Sequence, residues 1–298
     1  MSMPPGQPAG QLNGPPNAPA CVRHPDRPTG LRCTRCDRPA CSECLRPASV
    51  GQHCVDCVAQ AQRTTRAPVT ISGARPNRRP VVVQTLIAVN VLIFAITAYQ
   101  ARGVMDLSPS TLFNEWALYP KATAHGYWWQ LVTAGFLHFN PVHILMNMFA
   151  LWVIGRDMER ILGPVRFTAV YLVGLLGGSV NVLLFASANS QTAGASGAVF
   201  ALMGGLLVLV YRLKVNPSQV IGMIAINLVI SVAIPGISLL GHVGGLVTGA
   251  LLTAALIYSP ARLPAQRRRL WQVGAVVVLV VVLVGLALVR FPQIPTFT

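Results

Sequence analysis

The stretch Val273–Val289, VGAVVVLVVVLVGLALV, runs seventeen residues without a charged or strongly hydrogen-bonding side chain. A helix of this length in water needs a polar stripe at helical period, and this one has none. Hydrocarbon is the solvent such a surface tolerates. Working outward, six further apolar stretches stand at 81–99, 138–155, 167–187, 196–213, 219–235 and 240–258. Most approach the roughly 20 residues needed to cross about 30 Å of hydrocarbon, although the fifth is short and the second starts among histidines. Composition agrees: hydrophobic residues make up 53% and charged residues 10%, against roughly 25% charged in soluble domains. Mean hydropathy is +0.56. That balance excludes a disordered chain and disfavours an ordinary soluble globule. The 298 residues suffice for one large domain and a small one.

The net charge of +15 invites a nucleic-acid reading until the charges are placed. With the N-terminus inside, the inner segments 63–79, 156–166, 212–214 and 262–269 carry fourteen Lys and Arg residues. The outer segments carry three: Arg102, Lys121 and Arg290. That asymmetry predicts an N-in, C-out multi-pass protein, most naturally of a bacterial-type plasma membrane. It also accounts for the basicity without nucleic acid.

All seven cysteines precede residue 58, so they serve a local device. They read Cys21-x2-His24, Cys33-x2-Cys36, Cys41-x2-Cys44 and Cys54-x2-Cys57. Two-residue spacing lets one turn present two ligands to a tetrahedral Zn2+, and four pairs make two closed structural sites. The short step from Cys36 to Cys41 favours an interleaved arrangement, with pairs one and three on one ion and pairs two and four on the other. His53 breaks the spacing and is the weaker ligand candidate. A cytosolic location disfavours disulfides; unligated thiols or an iron–sulfur site are the competing readings. The block resembles a B-box-type zinc finger, a family of interaction modules. Lacking a basic recognition helix, it points to a cytosolic protein partner rather than DNA.

Polar residues at membrane depth are functional candidates because each is costly there. His138, His143 and Asn147 open the second span, Ser196 the fourth and His242 the sixth. Those three spans run in the same direction, so these residues share one level near the outer face. The last 139 residues contain no carboxylate side chain, which excludes paired-carboxylate chemistry and a Ser/His/Asp triad at this level. HExxH is absent too, which disfavours zinc metalloprotease chemistry. What remains is a dyad, with Ser196 as nucleophile and His242 as general base and then acid. Free N–H groups at the start of the fourth span, with His143 and Asn147 four residues apart, would serve an oxyanion, and His138 would support that shell. Gly197, Ala201 and Gly205 on span four and Gly241, Gly245 and Gly249 on span six form small-x3-small faces for close helix approach. Taken singly, Ser196 is more often a packing residue and Asn147 more often helix glue.

At these residues the sequence resembles the rhomboid family of intramembrane serine proteases, over about 81–258. The resemblance rests on His138-x4-His143-x3-Asn147, the segment Glu159-Arg-Ile-Leu-Gly163, the Gly194-Ala-Ser-Gly197 serine, and His242 with its GxxxG pattern. It implies a Ser196–His242 dyad and an oxyanion site of His143, Asn147 and the Ser196 N–H. It also implies Phe200 against the histidine, and cleavage of membrane-spanning substrates near the outer face. Glu159 and Gly163 match a structural segment. The family's usual first-loop Trp–Arg pair reads Trp129–Gln130 here, and Gly241 replaces the alanine before the histidine. The loop 100–137, with Trp116, Tyr119, Tyr127, Trp128 and Trp129, is expected to lie partly embedded beside the bundle.

The expected protein is therefore an all-α polytopic membrane protein with a six-helix rhomboid-like core and a seventh transmembrane helix, preceded by a zinc-stabilised cytosolic domain. Its divisions are a disordered tail (1–20), the zinc domain (21–57), a basic linker (58–80), the protease core (81–258), a basic cytosolic loop (259–271), the seventh helix (272–289) and an outer tail (290–298). The chemistry expected is serine endopeptidase cleavage of single-span or polytopic membrane proteins in the bilayer, with no catalytic cofactor. A catalytically inactive rhomboid-like scaffold that binds membrane helices is the alternative, and a transporter is disfavoured by the shallow polar level.

Overall fold

The computed structural model describes residues 18–64, 70–74, 79–259 and 264–295. The chain divides into two compact units, Met1–Ala67 and Pro68–Thr298. Most of the expected tail (1–17) and parts of the expected linker (65–69 and 75–78) and of the 259–271 loop (260–263) lie outside the described residues.

The first unit is built on two small antiparallel hairpins. Strand β1 (Ala20–Cys21) pairs with β2 (His24–Pro28), and β3 (Leu45–Pro47) pairs with β4 (Gln52–Cys54). Helix α1 (Val55–Thr64) follows directly from β4. Its buried cluster consists of six cysteines with Ala40 and Leu45. So few apolar groups cannot hold a fold of this size by themselves. The helix runs on past Cys57 into the stretch expected to be linker, because the turn that presents Cys54 and Cys57 is also the first turn of α1.

The second unit is mostly helical. Helix α2 (Val81–Ala101) is followed by three short loop helices, α3 (Thr111–Trp116), α4 (Pro120–Ala124) and α5 (Gln130–Thr133). Next come α6 (Pro141–Ala150), a π-helical turn (Leu151–Gly155) and α7 (Arg156–Leu162), which continue one another. Then follow α8 (Pro164–Phe185), α9 (Ser196–Arg212), α10 (Ser218–Ala233), α11 (Leu239–Ile257) and α12 (Ala265–Arg290).

Each of the seven apolar stretches thus forms a helix. Four (α2, α8, α11 and α12) are long and apolar enough to cross a membrane alone. The run Pro141–Leu162 meets that test only together with Gln130–Phe136, from which it is bent by 94°. Helices α9 and α10, with 17 and 16 residues, reach about 25 Å at 1.5 Å per residue and sit among the longer ones. The second span was expected from His138. Its helix begins at Pro141 instead, because Asn140 caps it by accepting the His143 N–H at 2.9 Å, and His138 lies in the turn before it.

Helices α8, α9 and α11 form the packed centre, while α2 and α12 present most of their surface outward. Glu159, fully buried, accepts the N–H groups of Val82 and Val83 at 3.1 and 2.9 Å. It caps the N-terminus of α2, where donors have no helical partner. This is the structural use of the Glu159–Gly163 segment. Ser72, in the expected linker, is also fully buried, and its single hydroxyl hydrogen is shared between the carbonyls of Ile161 and Leu162, 3.0 and 3.2 Å away. At least residues 70–74 therefore belong to the membrane unit rather than to a free linker. Helix α12 is fastened at one end by Gln272, whose amide donates to the carbonyls of Ser72 and Leu256 and accepts from Arg166 Nε.

Candidate functional site

The site begins with close backbone packing between α9 and α11. A methyl group on Gly245 would overlap the Gly197 carbonyl, and one on Gly249 would overlap the Ala201 backbone. The small-x3-small faces are thus in direct contact, and they bring the first turns of the two helices side by side. Ser196 is the first residue of α9. Ser238 caps α11 by accepting the Gly241 N–H at 3.1 Å, which puts His242 in the first turn of α11. The first turns that carry these two residues, 46 positions apart in sequence, lie side by side because glycine leaves nothing between their helices.

His242 is nearly buried, and two neighbours set its ring. Phe200, one turn after Ser196 on α9, stacks on it with centroids 4.1 Å apart and planes inclined by 11°. On the other side, Ser231 Oγ of α10 lies 2.6 Å from Nδ1. Among the described residues none hydrogen-bonds to the Ser196 hydroxyl, so its proton is uncommitted. Ser196 also borders a cavity of about 30 Å3, together with Ser179, Gly194, Ser238 and Gly241. That is room enough for a water molecule.

The α6 residues approach from a third side. A methyl on Gly194 would fall 2.8 Å from Cε1 and Nε2 of His143 and 3.6 Å from Ser196 Oγ. Gly194 has φ +135°, a backbone open to glycine, and its N–H is held by the Ala134 carbonyl at 2.9 Å. It therefore keeps open a gap bordered by an imidazole edge and the serine hydroxyl. His143 Nδ1 faces the Phe139 N–H at 3.5 Å, which turns its other ring nitrogen to this gap. Asn147 is buried and donates one amide hydrogen to the His143 carbonyl at 3.0 Å, leaving the second free. His138 is fully buried, edge-on to His143 with centroids 5.0 Å apart, and among the described residues neither of its ring nitrogens has a hydrogen-bond partner.

The first loop braces this arrangement. Leu118 and Thr192 exchange backbone hydrogen bonds at 2.9 Å, tying the loop to the strand-like approach to Ser196. Gln130 stands where the resemblance would have arginine. Its buried side chain accepts from the Tyr119 N–H and the Thr123 hydroxyl and donates to the Glu115 carbonyl. A neutral amide thus supplies the loop's internal hydrogen bonds. Tyr127 and Trp128 remain exposed on this loop, as residues of a membrane–water interface do.

In the first unit, two four-residue groups could each hold a metal ion: Cys21, His24, Cys41 and Cys44, and Cys33, Cys36, Cys54 and Cys57. This is the interleaved grouping of the four pairs. Donor separations fit a central ion: His24 Nδ1 lies 3.3 and 3.4 Å from the sulfurs of Cys41 and Cys44, and the sulfurs of Cys36 and Cys54 lie 3.7 Å apart. Tetrahedral bonds of about 2.3 Å to sulfur and 2.0 Å to nitrogen require such edges. None of the seven cysteines is in a disulfide, and His53 belongs to neither group.

Thiol acidities within each group are driven apart. Burial raises Cys21, but the backbone N–H groups of Cys41, Arg23 and His24 outweigh it and bring the thiol down to about 6. Cys33 likewise comes down to about 6, as N–H groups of Cys54, Cys36 and Arg35 outweigh its burial. Burial pushes Cys44 up to about 11, and the Cys36 sulfur with burial pushes Cys57 up to about 12. Packed sulfurs cannot all carry charge unaided, and a central cation removes that conflict.

Two residues of the site escaped the sequence reading. Ser231 is a serine near the end of an apolar helix and carries no motif. Gly194 lay within the quoted serine motif, but only its contacts with His143 reveal its part.

Residues 125–259 match the Rhomboid domain family; the chain carries a rhomboid domain and has rhomboid proteases among its relatives. It is 33% identical over 202 residues to the rhomboid protease GluP of Bacillus subtilis, covering 66% of this chain and 38% of that protein. It is 37% identical over 138 residues to RHOMBOID-like protein 4 of Arabidopsis thaliana, covering 44% of this chain and 35% of that one. RHOMBOID-like protein 6, mitochondrial, of the same plant is 35% identical over 175 residues, 56% of each chain. The matched part of this chain therefore spans between about a third and just over half of the length of these curated relatives.

Proposed function

We propose that this rhomboid domain is an intramembrane serine endopeptidase that cleaves membrane-spanning helices near the outer face, with Ser196 as nucleophile and His242 as general base and acid. The observation that supports this reading is the glycine-lined α9–α11 contact, which sets the first turns bearing Ser196 and His242 side by side, with Phe200, one turn after Ser196, stacked on His242. In the first step the Ser196 Oγ–H proton passes to His242 Nε2 while Oγ bonds to the scissile carbonyl carbon. The oxyanion that forms faces the gap at Gly194, where His143, the second Asn147 amide hydrogen and the first N–H groups of α9 serve as donors. His242 then gives its proton to the leaving amine and the C–N bond breaks, leaving an ester on Ser196. Water enters, loses a proton to His242 and attacks the ester carbon; the proton returns to Ser196 Oγ as the acid product leaves. No carboxylate and no cofactor takes part.

Substrates that suit this site are helices that unwind easily, with Gly, Pro or small residues near the outer face, because a peptide bond inside an intact helix is closed to a nucleophile. The basic asymmetry supports an N-in, C-out orientation in a bacterial-type plasma membrane. In the head, three thiolates with one imidazole and four thiolates suit Zn2+, which would act structurally. A domain of this kind on the cytosolic side suits a protein partner.

The test is cleavage of a single-span substrate in proteoliposomes by the wild type and by Ser196→Ala. Cleavage by the wild type alone is the expected result. Equal cleavage by both proteins would overturn the assignment of the nucleophile. Failure of both to cleave, together with failure of a serine-directed fluorophosphonate to label the wild type, would leave a helix-binding scaffold as the better reading.

A further inference from the structure

Ser231 lies on α10, of whose sixteen residues only it and Ile224 are buried. Its hydroxyl donates to the Asn227 carbonyl at 2.6 Å, the ordinary back-bond of a serine in an apolar helix. The same oxygen lies 2.6 Å from Nδ1 of His242. A hydroxyl has one hydrogen. With that hydrogen committed to Asn227, the oxygen meets Nδ1 with a lone pair, so a contact this short requires the hydrogen to be on Nδ1. Neutral histidine carries one ring hydrogen, and Nε2 is then left bare.

We infer that Ser231 is a positioning residue for His242: by accepting from Nδ1–H it fixes the tautomer whose Nε2 lone pair can take the Ser196 proton. In triad enzymes a carboxylate holds the histidine in this way, whereas this chain has no carboxylate side chain beyond Glu159. The back-bond to Asn227 serves as the device that makes a neutral hydroxyl a pure acceptor. Phe200 holds the plane of the ring and Ser231 selects which nitrogen is protonated. The inference rests on the proposed protease reading for its consequence in catalysis, but the tautomer itself does not depend on turnover.

The experiment has two arms on the full chain. In the first, Ser231→Thr and Ser231→Val are compared; they are nearly the same size and differ by the hydroxyl. The threonine variant is expected to cleave within about threefold of wild type, and the valine variant to lose about tenfold or more in kcat with KM unchanged, the order expected when a general base is left poorly prepared. In the second arm, ring-15N-labelled histidine is observed by NMR in protein that also carries Ser196→Ala, with the His242 signal assigned by His242→Gln. The Nδ1–H form is expected where Ser231 is present, and a mixture of tautomers in the Ser231→Val variant. Equal kcat for the two variants, or an Nε2–H form in the presence of Ser231, would overturn the inference. Should Ser196→Ala leave cleavage intact, the assignment of the nucleophile fails while the tautomer result still decides the role of Ser231.

Discussion

The two units of this chain reach stability by opposite means. In the head the buried cluster is six cysteines with one alanine and one leucine, and the small hairpins around them are short. In the membrane unit the buried cluster draws on the helices of all seven apolar stretches and on the first loop, and its closest contacts are backbone against backbone at glycines. In water, a domain this small lacks the apolar area to fold by burial, and the head has in its place two four-residue groups that could each hold a metal ion. In lipid, apolar area gives no net drive between helices, so packing contact and internal hydrogen bonds take over that task. The same residue types would fail if exchanged between the two.

That contrast is open to test, beginning with the largest effect. Chelation of metal from the full chain should open the head to proteolysis within residues 18–64 while the helices of the second unit stay resistant. Apparent binding free energies of structural zinc reach about 10–16 kcal/mol, so little fold should survive its loss. A protease-resistant head after complete metal removal would place its stability elsewhere. The next effect belongs to chemistry rather than stability: Ser196→Ala and His242→Ala should each lower cleavage by about a thousandfold or more, roughly 4 kcal/mol, with unfolding in detergent titrations unchanged.

Polar capping inside the membrane unit comes third. Glu159→Ala would strand two buried N–H groups of α2, at about 1–3 kcal/mol for each unsatisfied group, and should be seen as a shifted detergent-unfolding midpoint. Fourth, Gly245→Ala sets a methyl against the Gly197 carbonyl, and overpacking of this kind costs about 1–3 kcal/mol. Because it pries the first turns of α9 and α11 apart, its activity should fall further than its stability. A variant as active as the wild type would show that the helix contact is not what aligns Ser196 with His242. The smallest effect is expected for Gln130→Ala, about 1 kcal/mol per net hydrogen bond lost, confined to the first loop and read by hydrogen exchange at Tyr119 and Thr123.

Much of this was legible in the chain because it is written in periodicity and spacing. Seven unstriped apolar stretches demand helices in lipid wherever they end up, and four x2 pairs demand two four-ligand groups. Helix ends were less legible: His138 falls outside its expected helix because Asn140 makes the better cap, and residues 70–74 join the membrane unit because Ser72 finds carbonyls at the end of α7. The Asn140 cap is local, whereas the carbonyls that Ser72 meets lie 89 and 90 residues away in sequence. The candidate site divides in the same way. Ser196, His242, His143 and Asn147 stand out as polar groups among apolar ones, whereas Ser231 looks like any serine on a membrane helix.

By itself, the sequence determined that the helices of the second unit suit lipid and which eight residues form the two four-ligand groups of the head, since both follow from local chemistry and from counting residues. Only the tertiary structure decided that Gly194 leaves a gap between His143 and Ser196, that Gln130 can stand in for a charged residue in the first loop, and that Ser231 meets Nδ1 of His242. Those are contacts between elements, set by which helix faces pack together and by where a single hydroxyl hydrogen is already spent.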